Sequence, residues 1–245
     1  MSAKMRVLTA VLASGALLAL AACGGIGGGG SSSSSSGNGH GGSAGSGTSP
    51  SAASLESDAI TALKTAQSVK LSGNVTTSGK TFKVDLGLFR SGSVSGSLSG
   101  PYSGNTDVSF DLIVTGGSAY ILVDKQFFNS ILKSSGLPSS ACSVLCGKYI
   151  KTSAKNFSGF NLNGLVNQGF KSNVKVTPTV TSATIDGQPA YGLTDAQGDR
   201  LYVARNGTHY PIEITRPGSG ALVFSDWNSV PPISAPPANE VVSVP

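Results

Sequence analysis

The sequence predicts an α+β domain in which one helix precedes a single antiparallel sheet. Apolar residues from Leu55 to Ala66 recur at the three- and four-residue spacing of a helix. Along 82–88 and 108–114 the apolar residues instead alternate with polar ones, as in strands that bury one face. Turn residues recur at about every 8–12 positions after the helix, which favours strands joined by hairpins.

The helix is predicted over 55–68. Ser54 can cap its first turn, because a serine hydroxyl accepts a hydrogen bond from a free backbone N–H. Glu56 and Asp58 lie in that turn, where negative charge interacts favourably with the helix dipole.

Later segments carry further strand signals. Ala119–Val123 is an apolar run that suits a strand buried on both faces. Leu201–Arg205 and Thr208–Thr215 flank an Asn-Gly pair, which predicts a hairpin with a type I′ turn. Ala221–Phe224 predicts one more strand.

Two segments interrupt the strand pattern. Gln126–Lys133 has helical spacing, and Phe157–Phe170 predicts a short helical or loop segment. The chain ends in a proline-rich stretch from Pro231. Since proline cannot donate to a strand ladder, that stretch is predicted to be an edge or an extended tail.

Residues 1–22 have the pattern of a bacterial export signal. Lys4 and Arg6 supply positive charge ahead of the uncharged apolar run Val7–Ala22. That run has 16 residues, fewer than the roughly 20 that a spanning helix needs. Cys23 directly follows this segment, which suits the signal of a lipoprotein. The alternatives are an ordinary secretory signal with a chance cysteine and an uncleaved anchor.

The apolar run ends in Leu20-Ala21-Ala22-Cys23, which resembles the lipobox of bacterial lipoproteins. The resemblance implies cleavage before Cys23 and a diacylglycerol group, with palmitate-type acyl chains, on its thiol. Two acyl chains anchor a protein stably. The expected location is the extracytoplasmic face of the cell membrane, with the lipid anchor holding the chain there.

The next segment is predicted to be a flexible tether. Gly and Ser make up 21 of the 27 residues from 24 to 50, so the segment buries too little apolar surface to offset its ordering entropy. Its r.m.s. span is roughly 30 Å. The chain therefore divides into a signal peptide (1–22), a lipidated cysteine with its tether (23–54) and a β-rich domain (55–245).

The composition excludes several classes of protein. Only 12% of the residues are charged, against about 25% in typical soluble domains, and Ser and Gly fill the difference. A polytopic membrane protein is therefore excluded. The net charge is +5, and loss of Lys4 and Arg6 leaves +3. This charge is too weak and scattered to indicate nucleic-acid binding.

The sequence predicts no enzyme, metal site or cofactor. His209 is the single histidine of the domain and follows the Asn-Gly turn, where we expect it to be exposed. No Gly-x-Ser-x-Gly elbow occurs, the acidic residues are dispersed, and no His/Cys/acid cluster has metal-ligand spacing.

Cys142 and Cys146 remain once Cys23 is acylated. Export places them in an oxidising compartment, which favours a structural disulfide. Free thiols and a redox pair are the alternatives, although the Cys-x-x-Cys spacing of redox pairs is absent.

The closing motifs add a family resemblance. Val223-Phe-Ser-Asp-Trp227 and Pro236-Pro-Ala-Asn-Glu-Val-Val242 look like those of the actinobacterial LppX/LprG-type lipoproteins, within the wider LolA-like superfamily. The resemblance covers about residues 55–245. It implies a half-barrel of antiparallel strands wrapped around a few helices, an apolar cavity that carries a lipid or glycolipid, and no catalytic residues. The long tether and the Cys142–Cys146 insertion depart from the family pattern.

Two functional hypotheses follow. The first is a membrane-anchored carrier that holds a lipid or glycolipid in an apolar cavity, with room beside Leu112 and Leu165. The second is a non-enzymatic envelope sensor, adhesin or assembly module without a lipid ligand. The protein partner is unknown in either case. The residues that would line a cavity under the first hypothesis, and that would otherwise form an ordinary core, are Phe82, Leu86, Phe110, Leu112, Phe127, Phe128, Ile131, Phe160, Leu162 and Leu165.

Overall fold

The computed structural model describes residues 50–101, 107–166 and 176–243. The signal peptide, Cys23 and the tether up to residue 49 lie outside these ranges, as does the end of the predicted segment Phe157–Phe170. The described strands are β1 (Ser68–Thr77), β2 (Lys80–Phe89), β3 (Val94–Pro101), β4 (Asp107–Thr115), β5 (Ser118–Leu122), β6 (Tyr149–Ser153), β7 (Val176–Ile185), β8 (Gln188–Asp195), β9 (Arg200–Ala204), β10 (Pro211–Arg216), β11 (Gly220–Ser225) and β12 (Val241–Ser243).

These strands form one open sheet in the order β12-β6-β5-β4-β3-β2-β1-β11-β10-β9-β8-β7. All neighbouring strands are antiparallel except β12 and β6. Two sets of consecutive strands, β1–β6 and β7–β11, meet where β1 pairs with β11. The predicted fold class, an α+β chain with one unclosed, mostly antiparallel sheet and few helices, is confirmed.

The helices are few and short. Helix α1 spans Ala52–Thr65, α2 spans Lys125–Phe127 and continues as a π-helical turn over Phe128–Leu132, α3 spans Cys142–Leu145, and α4 spans Leu162–Gly164. Among the described residues, no helix has both the length and the apolar character needed to cross a membrane.

Helix α1 begins three residues before its predicted start. Its cap is Ser51, whose hydroxyl accepts a hydrogen bond from the Ser54 N–H (3.1 Å), so Ser54 is not the cap. Leu55 and Ala59 pack with Leu193 and Val203 on β8 and β9. The opposite end of α1 packs into the main core, so the helix spans the junction of the two strand sets.

The predicted hairpin at Asn-Gly exists, but its turn is longer than predicted. Pro211 pairs with Val203, so the connection runs from Arg205 to Tyr210. Asn206 lacks the positive φ angle that a type I′ turn demands, and among the two turn residues only Gly207 has one (+70°). Pro211 has no N–H to extend the ladder, which ends the pairing there.

Strand β3 was missed because its sequence is dominated by Gly and Ser. Only Val94 and Leu98 reach the core, four residues apart. Strands β2 and β4 on either side of it alternate strongly. Their backbones pair with β3, so it forms a strand although its own sequence does not predict one. Gly96 has φ +136°, and a Cβ there would collide with the Asp85 carbonyl on β2, so only glycine fits this close approach.

The proline-rich end crosses the outer face of the sheet, the face opposite the helices. Val230 lies over Gly87 on β2, where an added Cβ would come within 2.8 Å of its side chain. Farther along, the Lys148 ammonium donates to the Asn239 carbonyl (2.9 Å). The segment then becomes the edge strand β12 beside β6. The segment was predicted to be an edge or an extended tail. It is first an extended segment and then, at its end, an edge strand.

Candidate functional site

The middle of the inner sheet face, the face that carries the helices, is apolar. Strands β1, β2, β3 and β11 are neighbours there, and their registers place Leu71 opposite Leu86 and Leu98 opposite Val84. Every second residue of a strand points to the same side. The inward set, each member no more than 5% exposed, is Leu71, Val75, Val84, Leu86, Leu88, Leu98 and Leu222.

Phe160 faces this set from a loop. The loop begins with a 3₁₀ turn at Ala154–Phe157, and the Phe160 N–H donates to the Phe157 carbonyl (2.9 Å). After it, Asn161 caps α4, because its side-chain oxygen accepts from the Gly164 N–H (2.8 Å). The loop therefore holds the ring by local hydrogen bonds rather than by a sheet ladder.

A cavity of about 20 Å³ lies between Phe160 and the apolar sheet residues. This volume has room for one water molecule, whereas pockets that bind small molecules are commonly about 300–1,000 Å³. All eight lining residues are apolar, so a water molecule there would find no side-chain hydrogen-bond partner. A larger ligand can enter this cavity only if residues that line it move apart.

The predicted cavity-lining residues divide into three groups. Leu86 and Phe160 line this cavity, and Phe82 and Phe110 are half-buried. The other six are buried in the main core and do not line the cavity: Leu112, Phe127, Phe128, Ile131, Leu162 and Leu165. Leu112 and Leu165 are both buried, at 0% and 3% exposure, and neither lines this cavity. Whether space adjoins them elsewhere stays a prediction.

Several lining residues were not singled out from the sequence. Leu71 and Val75 on β1 continue an alternation that starts at Val69, so a period-two count extended over 69–75 would have found them. Leu98 carries no such signal, since β3 has few large apolar residues, and Leu222 lies in a short apolar run that does not show which residues face inward.

Arg90 joins this region to helix α1. Its guanidinium donates to the carbonyls of Leu63 and Ala66 (the latter 3.0 Å), which are free acceptors at the end of the helix. It also donates to the Asn163 side chain on α4 (2.7 Å), and Asn163 donates back to the Arg90 carbonyl (3.2 Å). One side chain thus connects α1, the β2–β3 turn and the loop that carries Phe160.

The closing Phe-Ser-Asp-Trp motif has a structural role. Trp227 stacks on Tyr210 with ring centroids 4.6 Å apart, and its indole N–H donates to the Pro211 carbonyl (3.1 Å). Asn228 accepts from the Gln67 N–H (2.7 Å) and donates to the Tyr210 hydroxyl (2.9 Å). The motif therefore fastens β11 to β10 and to the start of β1.

His209 is partnered rather than free. Its Nδ1 lies 3.0 Å from a carboxylate oxygen of Asp58 on α1, and its ring meets Tyr191 edge-on. Within the described residues, its contacts bring no serine or cysteine to the imidazole. Nor do three or more His, Cys, Asp or Glu side chains gather there as metal ligands.

Two carboxyl groups have pKa values above the ordinary range. Desolvation raises the pKa of Glu56 on α1. Desolvation, and to a smaller extent the charge of Asp186, raises the pKa of Glu213 on β10. Neither group lies beside the cavity, so these shifts bear on stability rather than on ligand binding.

We expect Glu213→Gln to stabilise the protein slightly at pH 7. A raised pKa means that the folded state binds the proton more tightly, so this group lowers stability as pH rises above about 4.5. The gain should be below about 1 kcal/mol, because solvent screens a half-exposed charge. Urea unfolding of parent and variant should differ at pH 7 and converge at pH 4. A difference that grows toward pH 4 would contradict the sign.

The structure forms the disulfide between Cys142 and Cys146, with Cα atoms 4.9 Å apart. It closes one turn around α3, and both cysteines pack against the edge of the main core together with Leu145. Neither cysteine lines the cavity, and the bridge fixes the loop before β6.

We expect reduction of this disulfide to lower the free energy of unfolding by at most about 2 kcal/mol, because so short a loop removes little entropy from the unfolded chain. Urea unfolding with and without a phosphine reductant measures the change. The Cys142→Ser/Cys146→Ser variant should match the reduced parent and be insensitive to the reductant. A loss well above about 2 kcal/mol would show that the bridge supports more than α3.

No family model matches the chain, and no curated protein sequence matches it. Solved structures do resemble it. LprF from Mycobacterium bovis is 14% identical, with 76% of this chain and 96% of that chain covered and a TM-score of 0.46. An uncharacterized conserved protein from Thermus thermophilus is 8% identical, with 79% and 99% covered and a TM-score of 0.35.

A third similar structure is the Pseudomonas aeruginosa MucA/MucB complex, at 13% identity and a TM-score of 0.30. The match covers 77% of this chain and 59% of that one. These structural similarities do not show what this chain binds.

Proposed function

We propose that the protein is an exported lipoprotein, anchored through Cys23 to the extracytoplasmic face of the cell membrane, that binds the acyl part of a lipid or glycolipid. The supporting observation is the wholly apolar cavity at the centre of the sheet, closed by a loop residue. Burial of a hydrocarbon chain against these apolar side chains is favourable, whereas no lining side chain can form a hydrogen bond with a polar ligand.

The small volume sets the mechanism. The described state is closed, and the acyl chain takes the place of Phe160 against Leu71, Leu86 and Leu98. Moving Phe160 outward costs free energy, so the apparent affinity is the intrinsic affinity reduced by the fraction of open molecules. The short turns around Phe160 are suited to this, since no sheet hydrogen bond has to break. No side chain acts as a catalyst in this account.

The second candidate function is an envelope module without a lipid ligand. The small volume of the cavity, about 20 Å³, favours it if that volume does not change. If Phe160 never leaves the sheet, the inner face is simply a packed core. The sheet, the tether and the anchor would then serve to present a surface to a protein or wall partner.

Mass spectrometry of lipids extracted from the purified chain separates the two. The chain should span residues 23–245 with Cys23→Ser, so that no covalent anchor contributes lipid. We expect acyl lipids in a fixed molar ratio to the protein. A matched Leu86→Trp variant, which fills the cavity, should lose them. Lipid-free parent protein, after purification without detergent from cells that make the lipids, would favour the module.

A further inference from the structure

Acidic and basic residues are distributed very unevenly along this chain. Seven lysines and no Asp or Glu occur between Asp124 and Asp186. All twelve acidic residues lie at or outside these two positions, mixed with the other basic residues. A segment of 61 residues therefore has no internal counter-charge, although the protein as a whole is only weakly basic.

The structure brings part of this segment together at one end of the sheet. Lys125 opens α2, Lys133 follows its π-helical turn, and Lys148 precedes β6. Backbone hydrogen bonds join the strand before α2 to the end of this loop: Val123 donates to Lys148 (2.9 Å), and Gly147 donates to Val123 (2.8 Å). We call Lys125 together with residues 133–148 the basic knob.

An apolar side chain projects from the basic knob. Val144 on α3 is 64% exposed, and it is the large hydrophobic side chain that stands out as exposed in the described part of the chain. Its neighbours Cys142, Leu145 and Cys146 turn inward onto the core, and the disulfide holds the turn in this orientation. Val144 is therefore held exposed by the disulfide-bonded turn.

The surrounding charge points to an anionic partner. Lys125 and Lys133 are exposed, and neither forms an ion pair in the described structure. Asp124, the nearest acid in sequence, is occupied as the cap of α2, where its carboxylate accepts from the Phe127 N–H (2.6 Å). Two further acids border the basic knob: Glu240 follows Asn239, whose carbonyl accepts from Lys148, and the Asp107 carbonyl accepts from Gln126, next to Lys125.

We propose that the basic knob docks onto the surface of an anionic phospholipid bilayer, with lysines against the phosphates and Val144 among the headgroups. An exposed apolar side chain on a segment whose only charged side chains are lysines has the composition that binds such an interface. The sequence-predicted tether, with its span of roughly 30 Å, would keep the domain within reach of the membrane. The docking rests on the proposed envelope location and is independent of a ligand in the cavity.

Vesicle co-sedimentation tests the docking with residues 23–245 carrying Cys23→Ser, which removes the covalent anchor. We expect binding to phosphatidylcholine vesicles that contain about a third phosphatidylglycerol, weak binding to pure phosphatidylcholine vesicles, and loss of binding at high salt. Lys125→Gln/Lys133→Gln/Lys148→Gln should weaken binding by at least about 25-fold, since the exposed Lys125 and Lys133 each contribute about fivefold at an anionic surface, whereas the Lys148 ammonium is held by the Asn239 carbonyl. Val144→Ser should weaken it severalfold.

The matched control removes the same charge elsewhere. Lys64, Lys83 and Arg200 are exposed and lie outside the basic knob, so their triple change to Gln should leave most of the binding. Equal weakening by the two triple variants would show a net-charge effect and overturn the proposal, as would equal binding to both kinds of vesicle. Lipid extracted from the basic-knob variant should be unchanged, so failure here and failure of the carrier proposal give different results.

Discussion

Phe160→Ala should destabilise the lipid-free protein by about 3–5 kcal/mol and at the same time increase the lipid that it binds. The loss follows from deleting a buried aromatic ring, which leaves a cavity that the surroundings fill only in part. The gain follows from removing the residue that closes the cavity against the sheet. Urea unfolding measures the first effect, and quantitative lipid extraction measures the second.

Phe157→Ala is the matched control for this experiment. Phe157 is buried in the same core, 6.4 Å from Phe160 between ring centroids, but it does not line the cavity. We expect a similar loss of stability and no extra lipid. If both variants lose stability and neither binds more lipid, Phe160 is an ordinary core residue and the site proposal is wrong.

Arg90→Ala should cost about 3 kcal/mol of unfolding free energy. Hydrogen bonds to a charged group contribute about 1.5–3 kcal/mol each without adding fully, and this guanidinium satisfies two carbonyls at the end of α1 and one side chain on α4. The same change should also loosen the loop that holds Phe160. Hydrogen exchange of the amides from 157 to 165 would then accelerate along with the loss of stability.

Arg205→Ala controls for the loss of an arginine. Arg205 is exposed, with its guanidinium 5.5 Å from the centre of the Tyr191 ring, a contact worth about 0.5–1 kcal/mol. Arg90→Lys should recover part of the loss, because the ammonium keeps the charge at the helix end but cannot reach all three acceptors. An effect of Arg90→Ala no larger than that of Arg205→Ala would contradict the role assigned to Arg90.

The spacing of apolar residues predicted the helix and strands that bury one face. The alternation in β2 and β4 and the helical spacing of α1 each reflect one buried face, which the sequence records directly. The type I′ turn was wrong because Pro211 and the Trp227 stack on Tyr210 shape the loop after Gly207 from outside it. Strand β3 exists because of its neighbours, and no property of Ser95 or Ser97 alone predicts it.

The candidate site was predictable only in outline. Leu86 and Phe160 were selected because both are large and apolar, and the same criterion selected Leu112 and Leu165, which are buried but do not line this cavity. Whether a buried leucine adjoins space depends on what crosses the sheet above it, and here that is a loop held by Asn161 and Arg90. Such long-range placement has no periodic signature in the sequence.

The central claim is that an acyl chain lies between the sheet and Phe160. Photo-crosslinking tests it most directly, with a phosphatidylglycerol that carries a diazirine at the end of one acyl chain, followed by peptide mapping of the adducts on residues 23–245 bearing Cys23→Ser. The account predicts adducts on Leu71, Leu86, Leu98 and Phe160, and their loss in Leu86→Trp. Adducts confined to the exposed surface around Val144, or none on the cavity residues, would contradict it.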